Sequence, residues 1–383
     1  MEFRDLKKQY EVLKADIDAA ISRVLTNTNF ISGKEVRELE EQLAEYVGVK
    51  HCITCGNGTD ALVLALMAWG IGEGDAVFVP DFTFFASGEA PALCGATPVF
   101  VDVEKDTFNI SPECLEKAII QILDEKILIP KVIVAVDLFG QPADYIRIRE
   151  IANKYGLLIL EDSAQGFGGN IKGRRACSFG DIGTTSFFPA KPLGCYGDGG
   201  AVFTDNDEWA ELIKSYCVHG KGVDKYDNVR IGMNSRLDTI QAAILKVKFK
   251  QFVEYELEKI NEVALSYAEM LSESIIIPTI KDGFVSSWAQ YTIICKEKGI
   301  RDKLQFRLRE QDIPSIIYYK KGLHEQKAFE KNTILTANYK NTQYLTDRVL
   351  SLPIHPYMDI YDVKKIVKNI MQILLDLETG CNI

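Results

Sequence analysis

Short apolar segments recur along the first 205 residues and alternate with stretches of helical spacing. The apolar segments lack the strict apolar–polar alternation of a half-buried strand, and such segments predict strands buried on both faces. Helical stretches between them predict a mainly parallel sheet with helices on both sides. The segments are HCITC (51–55), AVFVP (76–80), TPVFVDV (97–103), KVIVAVDL (131–138), GLLILED (156–162) and AVFTD (201–205).

The pattern changes after Arg236. Residues 237–274 contain no Gly or Pro and show helical spacing, which predicts one long helix that leaves the first domain. Strands at 289–295 and 315–319 and a final helix near 363–375 predict a smaller α+β unit. We therefore expect an α/β protein with a large domain at 1–245 and a small C-terminal domain at 246–383.

Composition restricts the classes of function. The chain has 383 residues, a formal net charge of −10 at pH 7 and 47% hydrophobic residues, which predicts a globular protein and argues against general nucleic-acid binding. No apolar segment approaches a membrane span, and the N-terminal residues form an amphipathic pattern rather than a signal peptide. Nine scattered cysteines favour a reducing compartment, so we expect a cytoplasmic protein without a membrane partner.

Two of these cysteines, Cys52 and Cys55, form a CxxC pair. No second pair and no nearby histidine completes a metal site. We interpret both as buried strand residues, with redox or metal chemistry as the alternative, and expect no metal site.

Three stretches fall at the carboxyl ends of predicted strands, where parallel sheets bind ligands. The first, CGNGTDA (55–61), is a Gly-bracketed turn that opens a helix, and free amides at a helix start favour a phosphate. The simpler alternative is a tight turn in which Thr59 or Asp60 is the N-cap. The turn lacks both GxGxxG and GK[ST], which argues against a dinucleotide enzyme or an NTPase.

The other two stretches are ILEDSAQGFGG (159–169) and TTSFFPAKPLGCYGDGGAVFTD (184–205). Asp162 and Gln165 are unremarkable by themselves, since acids commonly end buried strands. Lys191 lies among apolar residues, where desolvation lowers the pKa of an amine and makes it a nucleophile. The alternative is a lysine that extends its amine to solvent from a strand end.

Together the three stretches supply the groups that one cofactor requires. Pyridoxal phosphate requires a phosphate site, a carboxylate for the pyridinium nitrogen and an amine for a Schiff base. It also requires an aromatic face, and DFTFFAS (81–87) supplies candidates at another strand end.

The order of these motifs resembles the DegT/StrS family of sugar-nucleotide aminotransferases. The resemblance runs from FRDLKKQY near the start to SLPIHPY (351–357), and SFFPAKPLGCYGDGGA and NSRLD are its most specific parts. It implies a fold-type I pyridoxal-phosphate transferase, like aspartate aminotransferase, with a seven-stranded-type sheet. It also implies a homodimer with shared active sites.

The resemblance assigns roles to individual residues. Lys191 corresponds to the lysine that binds pyridoxal phosphate covalently and moves the proton, with pyridoxamine phosphate as the intermediate form. Asp162 corresponds to the partner of the ring nitrogen, Gln165 to the contact of the ring 3-oxygen, and Phe84 to the stacking aromatic. The implied phosphate contacts are Gly58, Thr59, Asp60, Ser186 and, from the other subunit, Asn234.

Within the family, the chain most resembles the WbpE-type enzymes. These transfer an amino group from L-glutamate to C3 of UDP-2-acetamido-2-deoxy-3-keto-glucuronate, on the way to surface-polysaccharide sugars such as those of lipopolysaccharide. Arg236 corresponds to an arginine assigned to the anionic substrate, with a helix-start salt bridge as the alternative.

One segment departs from the family pattern VHYPIPLHxQPAF. This chain has IIYYKKGLHEQKAF (316–329), in which Tyr318 replaces the usual His, Tyr319 is kept and His324 is the retained His. We expect these three residues to contact the sugar nucleotide. The open alternatives are a 3- or 4-aminotransferase for a non-uronic UDP- or dTDP-hexose, a nicotinamide-dependent sugar enzyme and a non-catalytic regulator or scaffold.

Overall fold

The computed structural model of the protein describes residues 1–224, 226–271, 275–331, 333–336 and 338–379. The helices in these ranges are α1 (Leu6–Asn27), α2 (Lys34–Val47), α3 (Gly58–Ala68), α4 (Ala86–Leu93), α5 (Pro112–Glu125), α6 (Tyr145–Tyr155), α7 (Asp207–Tyr216), α8 (Thr239–Gln251), α9 (Leu257–Met270), α10 (Ile300–Glu310), α11 (Lys340–Thr346) and α12 (Ile360–Thr379). The strands are β1 (His51–Cys55), β2 (Asp75–Pro80), β3 (Thr97–Val101), β4 (Ile129–Val136), β5 (Leu158–Asp162), β6 (Asn170–Ile171), β7 (Arg174–Arg175), β8 (Ile182–Ser186), β9 (Gly200–Thr204), β10 (Ile275–Ile276), β11 (Phe284–Val285), β12 (Tyr291–Cys295), β13 (Ile334–Leu335) and β14 (Val349–Leu352).

The main sheet has the strand order β1-β9-β8-β5-β4-β2-β3-β13. All neighbours from β8 to β13 are parallel, as the segment pattern predicts. β9 pairs antiparallel with both β8 and β1, because the Gly- and Pro-rich segment 187–199 turns the chain back after β8. The α/β fold with a mainly parallel sheet is confirmed, and β9 alone among the described strands of this sheet runs in the opposite direction, since β1, antiparallel to β9, has the same direction as β8.

Both faces of this sheet are buried. In β2, Val77 and Val79 pack in the core that contains α3, whereas Phe78 points to the other face and packs with Ile119 and Ile148 of α5 and α6. Successive strand residues point to opposite faces, so a continuous apolar segment is needed where helices cover both. Because β2, β4, β5 and β8 are parallel, their carboxyl ends lie at the same edge of the sheet.

The predicted long helix is α8, a π-helical turn at Phe252–Glu256 and α9, and its last predicted residues, 272–274, lie outside the described residues. β10, β12 and β14 then form a small antiparallel sheet, which agrees with the predicted α+β unit. The domain boundary at residue 245 falls inside α8 and stays a prediction. None of the described helices is both long and apolar enough to cross a membrane.

The strand predicted at 315–319 is wrong. Ile316 forms a single antiparallel bridge with Ser351, through hydrogen bonds of 3.1 and 2.8 Å. Beyond this bridge the chain leaves the small sheet and runs to the edge of the main sheet. The apolar pattern of IIYY arises instead because Ile317 is buried and the two tyrosines line a cavity.

Candidate active site

A cavity of about 470 Å³ opens at the carboxyl ends of the parallel strands. It contains side chains from the turn after β1, the loops after β2, β5 and β8, and the segment after Ile316. Among the residues predicted from sequence, the structure brings together Gly58, Thr59, Phe84, Asp162, Gln165, Ser186, Lys191, Tyr318 and Tyr319. Residues that are up to 261 positions apart in the chain, from 58 to 319, therefore share one site.

The turn after β1 presents backbone N–H groups to the cavity. Asn57, rather than Thr59 or Asp60, is the N-cap of α3, and its Oδ1 accepts from the Asp60 N–H at 2.8 Å. Among the described residues, the N–H groups of Gly58 and Thr59 have no protein acceptor. A side chain at position 58 would place Cβ 2.7 Å from Cβ of Ser186, so only glycine allows this approach. Two free amides at a helix start, beside a serine hydroxyl, suit a phosphate.

Asp162 ends β5 as a buried carboxylate. Ser87 of α4 donates its hydroxyl to Oδ2 at 2.7 Å, and the Ala164 N–H donates to Oδ1 at 3.2 Å. Burial raises the pKa of Asp162, while the Ser87 hydrogen bond and the charge of Lys191 act in the opposite direction. A carboxylate held by a hydroxyl in a low-dielectric site can keep a ring nitrogen protonated.

Lys191 lies on the segment that joins β8 to β9. This segment is pinned at its base, because Phe187 N–H donates to Gly199 O at 2.7 Å and Cys195 N–H donates to Phe187 O at 2.8 Å. Burial lowers the pKa of Lys191, opposed by the charge of Asp162, and the Arg4 guanidinium lowers it as well. A larger fraction of the amine is consequently neutral and nucleophilic at neutral pH.

Gln165 and Tyr319 fix one side of the cavity. The Phe139 N–H donates to Oε1 of Gln165 at 2.8 Å, and Nε2 of Gln165 donates to the Tyr319 hydroxyl oxygen at 3.2 Å. Burial raises the pKa of Tyr319, so its hydroxyl keeps its proton. That proton is available to an oxygen in the cavity.

Two predicted site residues lie outside this cavity. Asp60 accepts from the Ser235 hydroxyl at 2.6 Å, and its own N–H is used by the cap of α3. His324 contacts the buried Asp81 through Nδ1 at 2.7 Å and stacks on Tyr339 with ring centroids 4.3 Å apart. Both side chains therefore connect elements of this chain, and the ligand contacts expected of Asp60 and His324 stay predictions.

Asn234 and Arg236 also lie outside the cavity of their own chain. They alternate with Ser235 and Leu237, which are buried, so they point to the opposite side of an extended segment. Asn234 is exposed, and Nε of Arg236 is buried without a hydrogen-bond partner in the described part of the chain. Neither the phosphate role of Asn234 nor the substrate role of Arg236 is met within one chain.

Sequence reasoning missed Ser87, Asn57 and Arg4. Ser87 lies in the quoted DFTFFAS stretch, but nothing local relates it to a carboxylate 75 positions away. Arg4 contacts the carbonyl of Pro192 at 3.4 Å, which brings the N-terminus next to the Lys191 segment. Asn57 could have been found, because Asn is a preferred N-cap residue.

The predicted CxxC cysteines are buried and unpaired, and burial raises the pKa of both thiols. Within the described residues, no group of three or more His, Cys, Asp and Glu side chains could hold a metal ion. The donors that do converge are amides, hydroxyls, a carboxylate and an amine, and this set fits pyridoxal phosphate. When bound, that cofactor supplies a carbonyl for the amine and a ring that stabilises negative charge on the neighbouring carbon.

Comparisons with known proteins agree with this set. The profile of the DegT/DnrJ/EryC1/StrS aminotransferase family matches residues 11–371. A relative from Pseudomonas aeruginosa, UDP-2-acetamido-2-deoxy-3-oxo-D-glucuronate aminotransferase, is 44% identical over 95% of this chain and 98% of its own.

Solved structures extend the agreement to the fold. An aminotransferase of the same family from Brucella abortus superposes with a TM-score of 0.94, at 48% identity over 97% of this chain and 99% of that chain. NtdA of Bacillus subtilis, solved with bound pyridoxamine phosphate, has a TM-score of 0.85 at 28% identity, over 94% of this chain and 82% of that chain. The chain therefore belongs to the DegT/DnrJ/EryC1/StrS aminotransferase family, and it is a pyridoxal-phosphate-dependent transaminase.

Proposed function

We propose that this protein transfers an amino group from L-glutamate to C3 of UDP-2-acetamido-2-deoxy-3-keto-glucuronate, with pyridoxal phosphate bound covalently to Lys191. The observation that carries the proposal is a half-buried lysine that shares one cavity with a buried carboxylate and two free helix-start amides. The relative from Pseudomonas aeruginosa, a UDP-2-acetamido-2-deoxy-3-oxo-D-glucuronate aminotransferase, supports this choice of substrate.

Each residue of the site has a proposed task. Gly58, Thr59 and Ser186 bind the cofactor phosphate, Asp162 holds the ring nitrogen, and Phe84 covers one face of the ring. Nζ of Lys191, 6.0 Å from the Phe84 ring centroid, takes the proton from Cα of glutamate. In the second half-reaction the same amine delivers a proton to C3 of the sugar.

The sugar side requires a second copy of the chain. At the cavity, Phe84 has 54% and Phe188 has 52% of its surface exposed, which is high for large apolar side chains. Two further apolar side chains, close to Asn234 in sequence, are almost fully exposed: Val223 at 99% and Ile231 at 89%. Such apolar exposure is typical of an interface, so we propose a homodimer in which these surfaces are covered.

In that dimer, Asn234 and Arg236 reach the partner's cavity. Their outward direction from their own chain supports this arrangement. Asn234 would donate to the cofactor phosphate, and Arg236 would pair with the uronate carboxylate, where a bidentate contact gives both affinity and specificity. We place the protein in the cytoplasm, where nucleotide-linked sugars are made.

Tyr318 and Tyr319 line the proposed sugar side, and the exposed Lys320 and Lys321 follow them directly. Two cations next to the cavity suit a diphosphate. Lys320, Lys321 and Gly322 stand where the family pattern VHYPIPLHxQPAF has Pro-Ile-Pro. This replacement therefore changes the nucleotide side of the proposed site, while the residues proposed for transamination are all present.

The first experiment is a visible absorption spectrum of the purified protein with pyridoxal phosphate, before and after L-glutamate. We expect a band of the lysine-bound cofactor that glutamate bleaches and that Lys191→Ala does not form. Lys248→Met is the matched control, because burial lowers the pKa of Lys248 as it does that of Lys191, here to about 8, but Lys248 lies outside the cavity. A band that survives Lys191→Ala, or disappears in Lys248→Met, contradicts the assignment.

The second experiment ranks keto-sugars by how fast each restores the band after glutamate. A uronate substrate should be preferred over the matching non-uronic UDP- or dTDP-hexose, and Arg236→Ala should remove that preference. Equal rates for both sugars in the wild type favour the non-uronic alternative. A band that glutamate bleaches but that no keto-sugar restores favours a regulator.

A further inference from the structure

Three buried side chains form a chain of oxygens behind the Asp162–Gln165 loop. Oγ of Ser163 lies 2.5 Å from Oδ2 of Asp137 and 2.8 Å from Oε1 of Glu161. All three residues are fully buried, and none of them lines the cavity. The proposed transamination uses none of them.

The hydrogen count around Ser163 is decisive. A hydroxyl carries one hydrogen, so Ser163 can donate to only one of its two carboxyl neighbours. The second contact is within hydrogen-bond distance and needs a hydrogen from the other partner. One of the two carboxyl groups must therefore be a protonated acid.

The remaining contacts show which one. Glu161 accepts from three backbone N–H groups, those of Cys177, Phe179 at 2.6 Å and Gly180 at 2.9 Å. Three N–H donors favour the charged form of a carboxylate.

On Asp137, Oδ1 accepts from the Ala143 N–H at 3.0 Å and from the Tyr145 hydroxyl at 2.8 Å. Oδ2 contacts Ser163, and the described residues provide it with no other hydrogen-bond partner. The hydrogen therefore belongs on Oδ2 of Asp137.

We propose that Asp137 is a neutral carboxylic acid in the native protein, that it donates to Ser163, and that Ser163 donates to the carboxylate of Glu161. No basic side chain opposes this assignment, since neither acid forms a salt bridge in the described ranges. The titratable groups that face the pair are Tyr145 from α6, Cys177 from the loop before β8 and Asp162 from β5. Burial and the charge of Glu161 both raise the pKa of Asp137, in agreement with the geometry.

The chain of oxygens positions two residues of the proposed cofactor site. The Asp137 N–H donates to Asp162 O at 3.0 Å, and the Phe139 N–H, two residues further, donates to Gln165 Oε1 at 2.8 Å. Gly166 packs so closely on Asp137 that an added Cβ would lie 2.4 Å from the Asp137 Cβ. Asp137 and Ser163 are therefore positioning residues for Asp162 and Gln165.

Infrared difference spectroscopy of the full-length holoprotein tests the assignment directly. Wild type minus Asp137→Asn should show the carbonyl band of a protonated carboxylic acid, and the band should shift when aspartate is labelled with ¹³C at its side-chain carboxyl. A band that shifts only with labelled glutamate, or no acid band at all, overturns the proposal.

Variants supply the second readout. Asparagine has a carbonyl oxygen in the place of Oδ1 and an N–H donor in the place of the acid O–H, so Asp137→Asn should fold and retain the cofactor within about twofold of wild type. Ser163→Ala breaks both links and should weaken cofactor retention about 10-fold. Failure of Asp137→Asn to fold, or equal retention in both variants, contradicts the proposal.

The pH dependence of unfolding gives a third readout with a defined sign. The folded protein keeps a proton on Asp137 that the unfolded chain loses above its ordinary pKa of 3.8. The wild type therefore loses stability relative to Asp137→Asn as pH rises, by up to about tenfold in the folding equilibrium constant per pH unit. Parallel pH profiles overturn the assignment. None of these readouts uses a sugar substrate, so their failure leaves the proposed reaction untouched.

Discussion

Two groups of site residues differ in how many hydrogen-bond and packing partners one chain provides for them. We call Asp162 and Gln165 the floor of the cavity. We call Phe84 and Phe188 at the cavity, together with Asn234 and Arg236, the rim group. On the floor, Asp162 and Gln165 have hydrogen-bond partners from the same chain, which orient them before any ligand binds. In the rim group, Asn234 is exposed and Nε of Arg236 has no partner in the described part of the chain, and both residues lie outside the cavity of their own chain. Phe84 and Phe188, which line the cavity, are half exposed. The difference supports the proposal that one chain supplies most of the cofactor contacts, while a second chain contributes Asn234 and Arg236.

The largest effect is expected on the floor. Asp162→Asn keeps the shape but removes the charge that would hold the ring nitrogen protonated, and turnover should fall about 10²–10³-fold. Ser87→Ala, which removes only the support of that carboxylate, should cost about 10-fold. Steady-state kinetics measures both. Glu40→Gln is the control, since Glu40 is a half-buried carboxylate that accepts from the Thr54 hydroxyl outside the cavity. Normal turnover in Asp162→Asn would disprove the proposed role of Asp162 toward the ring nitrogen.

The rim group is tested with mixed dimers. Arg236→Ala should lower kcat/KM for the uronate sugar about 10²-fold, since a charge-assisted contact is lost. If Arg236 acts in the partner's site, an equal mixture of Lys191→Ala and Arg236→Ala chains contains dimers with one intact site.

Such a mixture should recover about one quarter of wild-type activity after subunit exchange. The control places both substitutions on one chain and mixes it with wild type, where the mixed dimers should have no intact site. The reverse pattern, activity in the control mixed dimers and none in the first mixture, would show that Arg236 acts within its own chain.

Stability near the N-terminus should be sensitive to acid, because His355 lies close to Arg4 and Asp5. His355 is buried, its Nδ1 has no partner in the described residues, and burial lowers its pKa to about 4, with the nearby Arg4 acting in the same direction. Between pH 6.5 and 4 the unfolded chain binds a proton that the folded chain does not, so stability falls as pH falls. We expect a loss of about 2 kcal/mol from pH 7 to pH 5 that His355→Phe lacks. Denaturant unfolding at the two pH values measures it, and identical losses in both proteins would refute it.

The smallest effect is expected for His324. His324 pairs with the buried Asp81 and lies outside the cavity. His324→Ala should therefore reduce the free energy of unfolding by about 1 kcal/mol and leave KM for the sugar within about twofold. Thermal unfolding and initial rates separate the two effects. A large rise in KM with unchanged stability would restore the sugar-binding role predicted from the sequence.

Much of the fold was predictable because local pattern and burial agree. The continuous apolar segments became two-sided strands, and the absence of Gly and Pro after Arg236 correctly predicted one continuous helix. The direction of β9 was not predictable, because it depends on the turn made by residues 187–199. The strand at 315–319 failed because a short apolar segment fits a cavity wall as well as a sheet.

The sequence alone determined the chemistry of the site: one lysine, one acid and a glycine-bracketed turn, each at the end of a buried strand. The tertiary structure decided the partners, since Ser87 meets Asp162 and Asp81 meets His324 only through packing between distant segments. It also decided which side Asn234 and Arg236 face, and that Asp137, Ser163 and Glu161 lie within hydrogen-bond reach of one another. Strand ends follow from local patterns of burial, whereas hydrogen-bond partners depend on distances that exist only after the chain has folded.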